Sequence, residues 1–160
     1  MLTRCTRRQS LEAMARSSIV VALLLCVAAC NAKIWERCDL ARTLLNTYKL
    51  PRDQLDTWMC IAYRESRYDS SHINTMNSDG SKDYGLFQIN NRYWCHSSDS
   101  PAPNQNLCNV ACDTVLNDMG ATVTCIKTMY AKSRNTWQPR ITYPYCAREN
   151  LKGYTEGCGI

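Results

Sequence analysis

Two carboxylates in this chain stand out by the residues around them. Glu65 follows Trp58, Ile61 and Ala62, each three or four positions after the last, so on a helix it falls on the apolar stripe. Burial disfavours the charged form of a carboxyl group, and a proton donor working near neutral pH needs that bias. Read without chemistry, the same residue is a helix-end glutamate paired with Arg64 or Arg67. Asp83 opens the run Asp83-Tyr84-Gly85-Leu86-Phe87-Gln88-Ile89-Asn90, just after the turn signal Asn77-Ser78-Asp79-Gly80. Its polar strand surroundings suit an ionised carboxylate. Its other reading is a turn-flanking residue that caps a backbone group, as aspartates near Asp-Gly turns commonly do.

The elements that must position these groups follow from periodicity. Leu40, Leu44, Leu45 and Tyr48 at helical spacing predict a helix within 36–49, with Asp39 early and Lys49 late to suit its dipole. Pro51 ends that helix or begins the next loop. A second helix starts from Asp53 or Asp56 as N-cap and carries Glu65 near its end. In the Asp83 run, Tyr84, Leu86 and Gln88 alternate with Phe87 and Ile89, which predicts a small antiparallel sheet inserted between helices. Residues 96–111, rich in Ser, Pro and Asn with only Leu107 and Val110 as large aliphatics, read as a long loop held by Cys95, Cys108 and Cys112. Helical patterns resume at roughly 112–119 and 122–132, and the C-terminal part mixes loop and short-helix signals. No repeat, second domain or low-complexity linker interrupts the chain.

Length allows one domain with a real core. The first 32 residues read as a secretory signal: Arg4, Arg7, Arg8 and Arg16 form a basic start, Ile19 to Ala29 is apolar, and small residues end at Ala32. The expected organisation is therefore a signal peptide at 1–32 and a secreted, extracellular domain at 33–160. Val27-Ala28-Ala29-Cys30 also resembles a bacterial lipoprotein signal, with Cys30 as the lipidated residue. The apolar run is too short to span a bilayer, which takes roughly 20 apolar residues, so no stable membrane association is expected.

Three of the eleven cysteines, Cys5, Cys26 and Cys30, lie in the leader. An even set remains, and in an exported domain it reads as four disulfides whose pairing spacing alone leaves open. A metal reading is weaker, because no CxxC pair and no His-x-x-x-His is present. Loss of the leader's four arginines and Glu12 takes the formal charge from +5 to +2. That mild basic bias tolerates an anionic cell wall and gives no argument for nucleic acid.

From Lys33 onward the chain resembles the c-type lysozymes. The resemblance rests on Arg37-Cys38-Asp39-Leu40-Ala41, on Trp58-Met59-Cys60 leading to Glu65-Ser66, and above all on Ser78-Asp79-Gly80-Ser81-Lys82-Asp83 continuing to Asn90. Tyr93-Trp94-Cys95 and Asn106-Leu107-Cys108-Asn109-Val110-Ala111-Cys112 extend it. It implies an α+β, lysozyme-like fold: a mainly helical domain with a small antiparallel β-sheet lobe and four disulfides. The implied bridges are Cys38–Cys158, Cys60–Cys146, Cys95–Cys112 and Cys108–Cys125. It also implies a bacteriolytic glycoside hydrolase acting on peptidoglycan and chitin-like oligosaccharides, monomeric and without cofactor. In that family one carboxyl group, here Glu65, donates a proton to the leaving oxygen, and the other, here Asp83, serves as nucleophile or charge stabiliser. Asn77, Asp79, Gln88 and Asn90 correspond to residues that position the substrate or surround the second carboxylate. Tyr93, Trp94 and Trp137 correspond to aromatics of the sugar subsites and of the wall around the general acid.

Tyr93 stands where tryptophan is common, and Pro139 and the spacing to Cys146 depart from the vertebrate pattern around Trp137. Residues 112–125 offer only Asp113 and Asp118 where calcium-binding relatives cluster aspartates, so no metal is expected. The rival readings are a lysozyme-like binding protein that has lost hydrolysis, and a disulfide-rich inhibitor or toxin. The first usually lacks one or both carboxylates, and the second leaves the Asp83 run unexplained.

Overall fold

The computed structural model describes residues 34–136, 143–148 and 150–160. The first helix, α1, spans Arg37–Arg42 and widens into a π-helical turn over Thr43–Thr47. There the Tyr48 amide reaches back five residues to the Thr43 carbonyl at 3.2 Å. Leu40, Ala41 and Leu44 are buried, as the periodicity requires, and Lys49 in the left-handed region (φ 54°) turns the chain toward Pro51.

Helix α2 spans Arg52–Ser66. Neither Asp53 nor Asp56 caps it. Pro51 occupies the N-cap position, so the helix begins earlier than the acidic residues suggested, and proline there lacks an N–H that the first turn would leave unbonded. Asp53 lies in the first turn, where its charge suits the dipole, while Asp56 accepts from the Thr155 hydroxyl and pairs with Arg52 at 3.5 Å. Leu55, Trp58, Met59, Cys60, Ile61 and Ala62 are buried and make α2 the central element of the core. Arg67 and Tyr68, with φ of 56° and 66°, end the helix in left-handed backbone, and the Arg67 amide bonds the Tyr63 carbonyl.

The sheet is antiparallel, in the order β1 (Ile73–Asn74), β2 (Asp83–Tyr84) and β3 (Ile89–Asn90). Its strands are only two residues long, and the alternation expected from Tyr84 to Ile89 does not occur. Tyr84, Leu86, Phe87, Gln88 and Ile89 are all buried. The reason is that residues 85–88 form a turn that packs into the molecule: Gly85 has φ 72°, Gln88 has φ 46°, and the Gln88 amide bonds the Gly85 carbonyl at 3.0 Å. The φ at Gly85 favours glycine, and a Cβ there would also come 3.3 Å from the Ser70 carbonyl oxygen, a tight contact. Phe87 meets Trp58 edge-on, with centroids 5.7 Å apart.

The loop after β3 closes on itself through the His96–Ala111 bridge and the bonds from His96 N–H to the Val110 carbonyl and from Cys112 N–H to the His96 carbonyl. Helices α3 (Cys112–Asn117) and α4 (Met119–Lys132) follow. Asp118 separates them, its carboxylate accepting from the amides of Gly120 (2.7 Å) and Ala121 (3.1 Å). A short helix α5 (Tyr143–Cys146) and a 3₁₀ turn at Leu151–Tyr154 complete the described chain. The disulfides pair Cys38–Cys158, Cys60–Cys146, Cys95–Cys112 and Cys108–Cys125, the pairing that the resemblance implied. No described helix is long and apolar enough to cross a membrane.

Candidate functional site

Asp83 is held from both neighbouring strands and from the turn that precedes it. Antiparallel register sets Asn74 opposite Asp83 and Asp83 opposite Asn90, which brings the three side chains together across the sheet. The Asn90 amide donates to Oδ1 at 2.7 Å, and Asn77 and Asn74 donate to Oδ2 at 2.8 and 3.1 Å. Three N–H donors thus meet a carboxylate, which when ionised can only accept. Asn90 and Asn77 were expected beside Asp83, whereas Asn74 was not. The two-residue β1 is too short for alternation to reveal it, and only the register does.

A second layer holds the asparagines. The Ser81 hydroxyl, buried, accepts from Asn77 at 3.1 Å and Asn90 at 2.9 Å and donates to Asp79 Oδ1 at 2.6 Å. Asp79 also accepts the Ser81 amide and the Arg92 Nε, each at close range, and Arg92 extends to the carbonyls of Asp79 and Ala102. The bonds from Ser81, and then Arg92, hold the Asp79 carboxyl below the usual carboxylate range. Asp79 therefore orders the turn through Ser81 and Arg92 rather than touching Asp83 itself. Lys82, next to Asp83 in sequence, is bound by Asp99, which raises the Lys82 pKa and lowers that of Asp99.

Gln88 takes no part in this network. It is buried, and its amide donates to the carbonyls of Gly85 at 2.8 Å and His72 at 3.1 Å, so it fastens the turn to the segment before β1. Tyr93 and Trp94 diverge: Tyr93 is exposed, while Trp94 is half-buried against the core. Their carbonyls accept the amides of Leu107 and Cys108, which binds the aromatic pair to the disulfide-held loop. Trp137 lies outside the described residues.

Glu65 sits on the last turn of α2, half-buried, one residue before the buried Ser66 and on the side of Trp58, Ile61 and Ala62. Its neighbours Arg64 and Arg67 place their guanidinium groups over the rings of Tyr145 (5.3 Å) and Tyr63 (4.3 Å). One carboxyl group at the half-buried end of a helix beside its buried stripe and one within an amide cradle on a sheet are chemically unlike, which is the condition for dividing acid and nucleophile roles.

Comparison with known proteins agrees with this geometry. The model of the C-type lysozyme/alpha-lactalbumin family matches residues 33–158. Lysozyme C of Colobus angolensis is 35% identical over 150 residues, covering 91% of this chain and 99% of the relative. Lysozyme C II of Oncorhynchus mykiss is 34% identical over 145 residues, covering 88% and 98%, and Lysozyme 1 of Musca domestica is 38% identical over 130 residues, covering 81% and 89%. With its carboxylate cradle, four bridges and match along nearly the entire described chain, this protein belongs to the C-type lysozyme/alpha-lactalbumin family.

Proposed function

We propose that this protein is a secreted lysozyme that hydrolyses the β-1,4 links between N-acetylmuramic acid and N-acetylglucosamine in bacterial peptidoglycan, with Glu65 as general acid and Asp83 as nucleophile or charge stabiliser. The observation that carries the reading is the Asp83 carboxylate held by Asn74, Asn77 and Asn90. Rigid donors on both oxygens fix the carboxylate's orientation before substrate arrives, so little reorganisation remains when positive charge develops on the sugar ring. Glu65 passes its proton to the leaving glycosidic oxygen. Asp83, on the other side of the ring, stabilises or bonds the anomeric carbon. Glu65, now a carboxylate, then takes a proton from the incoming water, whose oxygen bonds the anomeric carbon as Asp83 is released, so both carboxyl groups are restored.

Exposed Tyr93 offers an apolar ring face on which a sugar can stack, and chitin-like oligosaccharides share the N-acetyl chemistry such a site would recognise. Residues 1–32 serve as the secretion signal, and the protein acts as a monomer outside the cell without cofactor or nucleic acid. The test is clearing of bacterial cell walls by the folded, oxidised protein beside Glu65→Gln and Asp83→Asn. Wild-type clearing that falls about 100-fold or more in either variant supports two-carboxylate hydrolysis. No clearing by folded wild type from acid to neutral pH overturns it in favour of a lysozyme-like binding protein.

A further inference from the structure

The two proposed catalytic groups stand on different elements, Glu65 on α2 and Asp83 on the sheet, and a side chain beside the first reaches toward the second. Ser66, the last residue of α2, is buried, and its hydroxyl lies 2.9 Å from the Leu86 carbonyl oxygen and 3.1 Å from the Ala62 carbonyl oxygen. A hydroxyl has one proton to give. The contact with Leu86 reaches out of α2 to the turn that joins Asp83 to Asn90, beside the contact with Ala62 inside the helix. Gly85 and Gln88 hold that turn in left-handed backbone, and Gln88 binds it to His72, so a pull on Leu86 reaches β2 through a stiff segment.

From this geometry we infer that Ser66 is a positioning residue for the hydrolysis, its hydroxyl fixing the end of the Glu65 helix to the hairpin that carries Asp83. The inference rests on the assignment of Glu65 and Asp83 made above. Proton donation and attack at one anomeric centre need both carboxyl groups in place together, and a displacement of about 1 Å can cost on the order of 100-fold in rate. In that reading sugar binding draws on Tyr93 and its loop, whereas the Ser66 hydroxyl bonds only Ala62 and Leu86 among the described contacts. Loss of the hydroxyl therefore acts on kcat and spares KM. It also leaves the Leu86 carbonyl without this donor in a buried place, which favours a shift of the turn.

The experiment compares wild type, Ser66→Ala and Ser66→Thr in the cleavage of a soluble N-acetylglucosamine oligomer, with kcat expressed per folded molecule from near-ultraviolet circular dichroism. The expected result is a roughly tenfold lower kcat in Ser66→Ala with KM within about twofold of wild type, and recovery in Ser66→Thr, which keeps the hydroxyl. Unchanged kcat per folded molecule in Ser66→Ala overturns the inference while leaving the hydrolase intact. If the alanine variant does not fold, Ser66→Thr decides: near-wild-type kcat supports a role for the hydroxyl, and a tenfold loss in a folded threonine variant overturns it. Absence of cleavage by wild type overturns the assignment of the two carboxylates, and this inference with it.

Discussion

At the scale of single residues, the bonded side chains of the Asp83 cradle contrast with a buried hydroxyl elsewhere. The Tyr68 hydroxyl is buried without a hydrogen-bond partner, in a residue only 7% exposed. Its ring packs against Tyr63 with centroids 5.4 Å apart. Burial, and then the proximity of Tyr154, push its pKa well above the ordinary tyrosine value. Because the folded-state pKa is raised, the stability linked to the neutral form is fully present below the ordinary tyrosine pKa and is lost as pH rises through and beyond it. Tyr68→Phe removes a hydroxyl that gains nothing on folding, so we expect unchanged or higher thermal stability near neutral pH and less loss of stability in alkali. Melting curves at pH 7 and pH 11 check this; a variant that melts lower at pH 7 would refute it. Residue types also set the limit of what sequence could reveal about the site. Asn77 and Asn90 were legible as neighbours of Asp83 through the family resemblance that their segment carries. Asn74 carries no such mark, and Ser81 lies in the resembling segment without a sign of its own role, since these roles arise from strand register and from a turn folding back on itself. Gln88 was legible as a polar residue of the right segment, yet its burial and its backbone partners depend on a turn that alternation had represented as strand.

At the scale of elements, helices were read well and the sheet less so, for a physical reason. Helical periodicity needs several turns to declare itself, and α2 and α4 supply them, whereas two-residue strands contain one alternation at most. The start of α2 was misplaced because Asp53 and Asp56 have capping chemistry while the chain uses Pro51. At α4, by contrast, an aspartate does cap: Asp118 takes two amides of the first turn and marks the boundary between α3 and α4, which pack on each other. Asp118→Ala should cost about 1 kcal/mol, and Asp118→Asn, which keeps an accepting oxygen, much less. For a domain of this size that is a fall of a few degrees in melting temperature for the alanine variant. Chemical unfolding checks the number, and equal stability of Asp118→Ala and wild type would show that the cap contributes nothing. Since the Asp118 carboxylate bonds Gly120 and Ala121 and none of the residues of the Asp83 cradle, kcat per folded molecule should not change.

At the scale of the molecule, covalent bridges and net charge act on different properties. Cys38–Cys158 and Cys60–Cys146 join residues 120 and 86 positions apart, so they constrain the unfolded chain most, each by roughly 4–5 kcal/mol on a chain-entropy estimate. The two bridges of separation 17 contribute about 3 kcal/mol each and hold the loop that carries the backbone bonds of Tyr93 and Trp94. Charge instead governs the approach to the target. Residues 33–160 carry a formal charge of only +2, and several of their basic groups are already engaged: Lys82 with Asp99, Arg92 with Asp79, Arg42 with Asp39. Attraction of such a protein to an anionic wall is weak beyond the Debye length, about 10 Å at 0.1 M salt, so there is little long-range steering for salt to screen. Rates of wall clearing should therefore change by less than about threefold between roughly 20 and 150 mM salt, with cleavage of a neutral soluble oligosaccharide as the reference that has no wall charge to lose. A steep loss for walls alone would mean that the basic groups act as a concentrated patch despite the small net charge. A parallel loss on both substrates would place the salt effect at the carboxylates and their cradle instead. The weak dependence we expect assigns recognition chiefly to short-range contacts with the sugars.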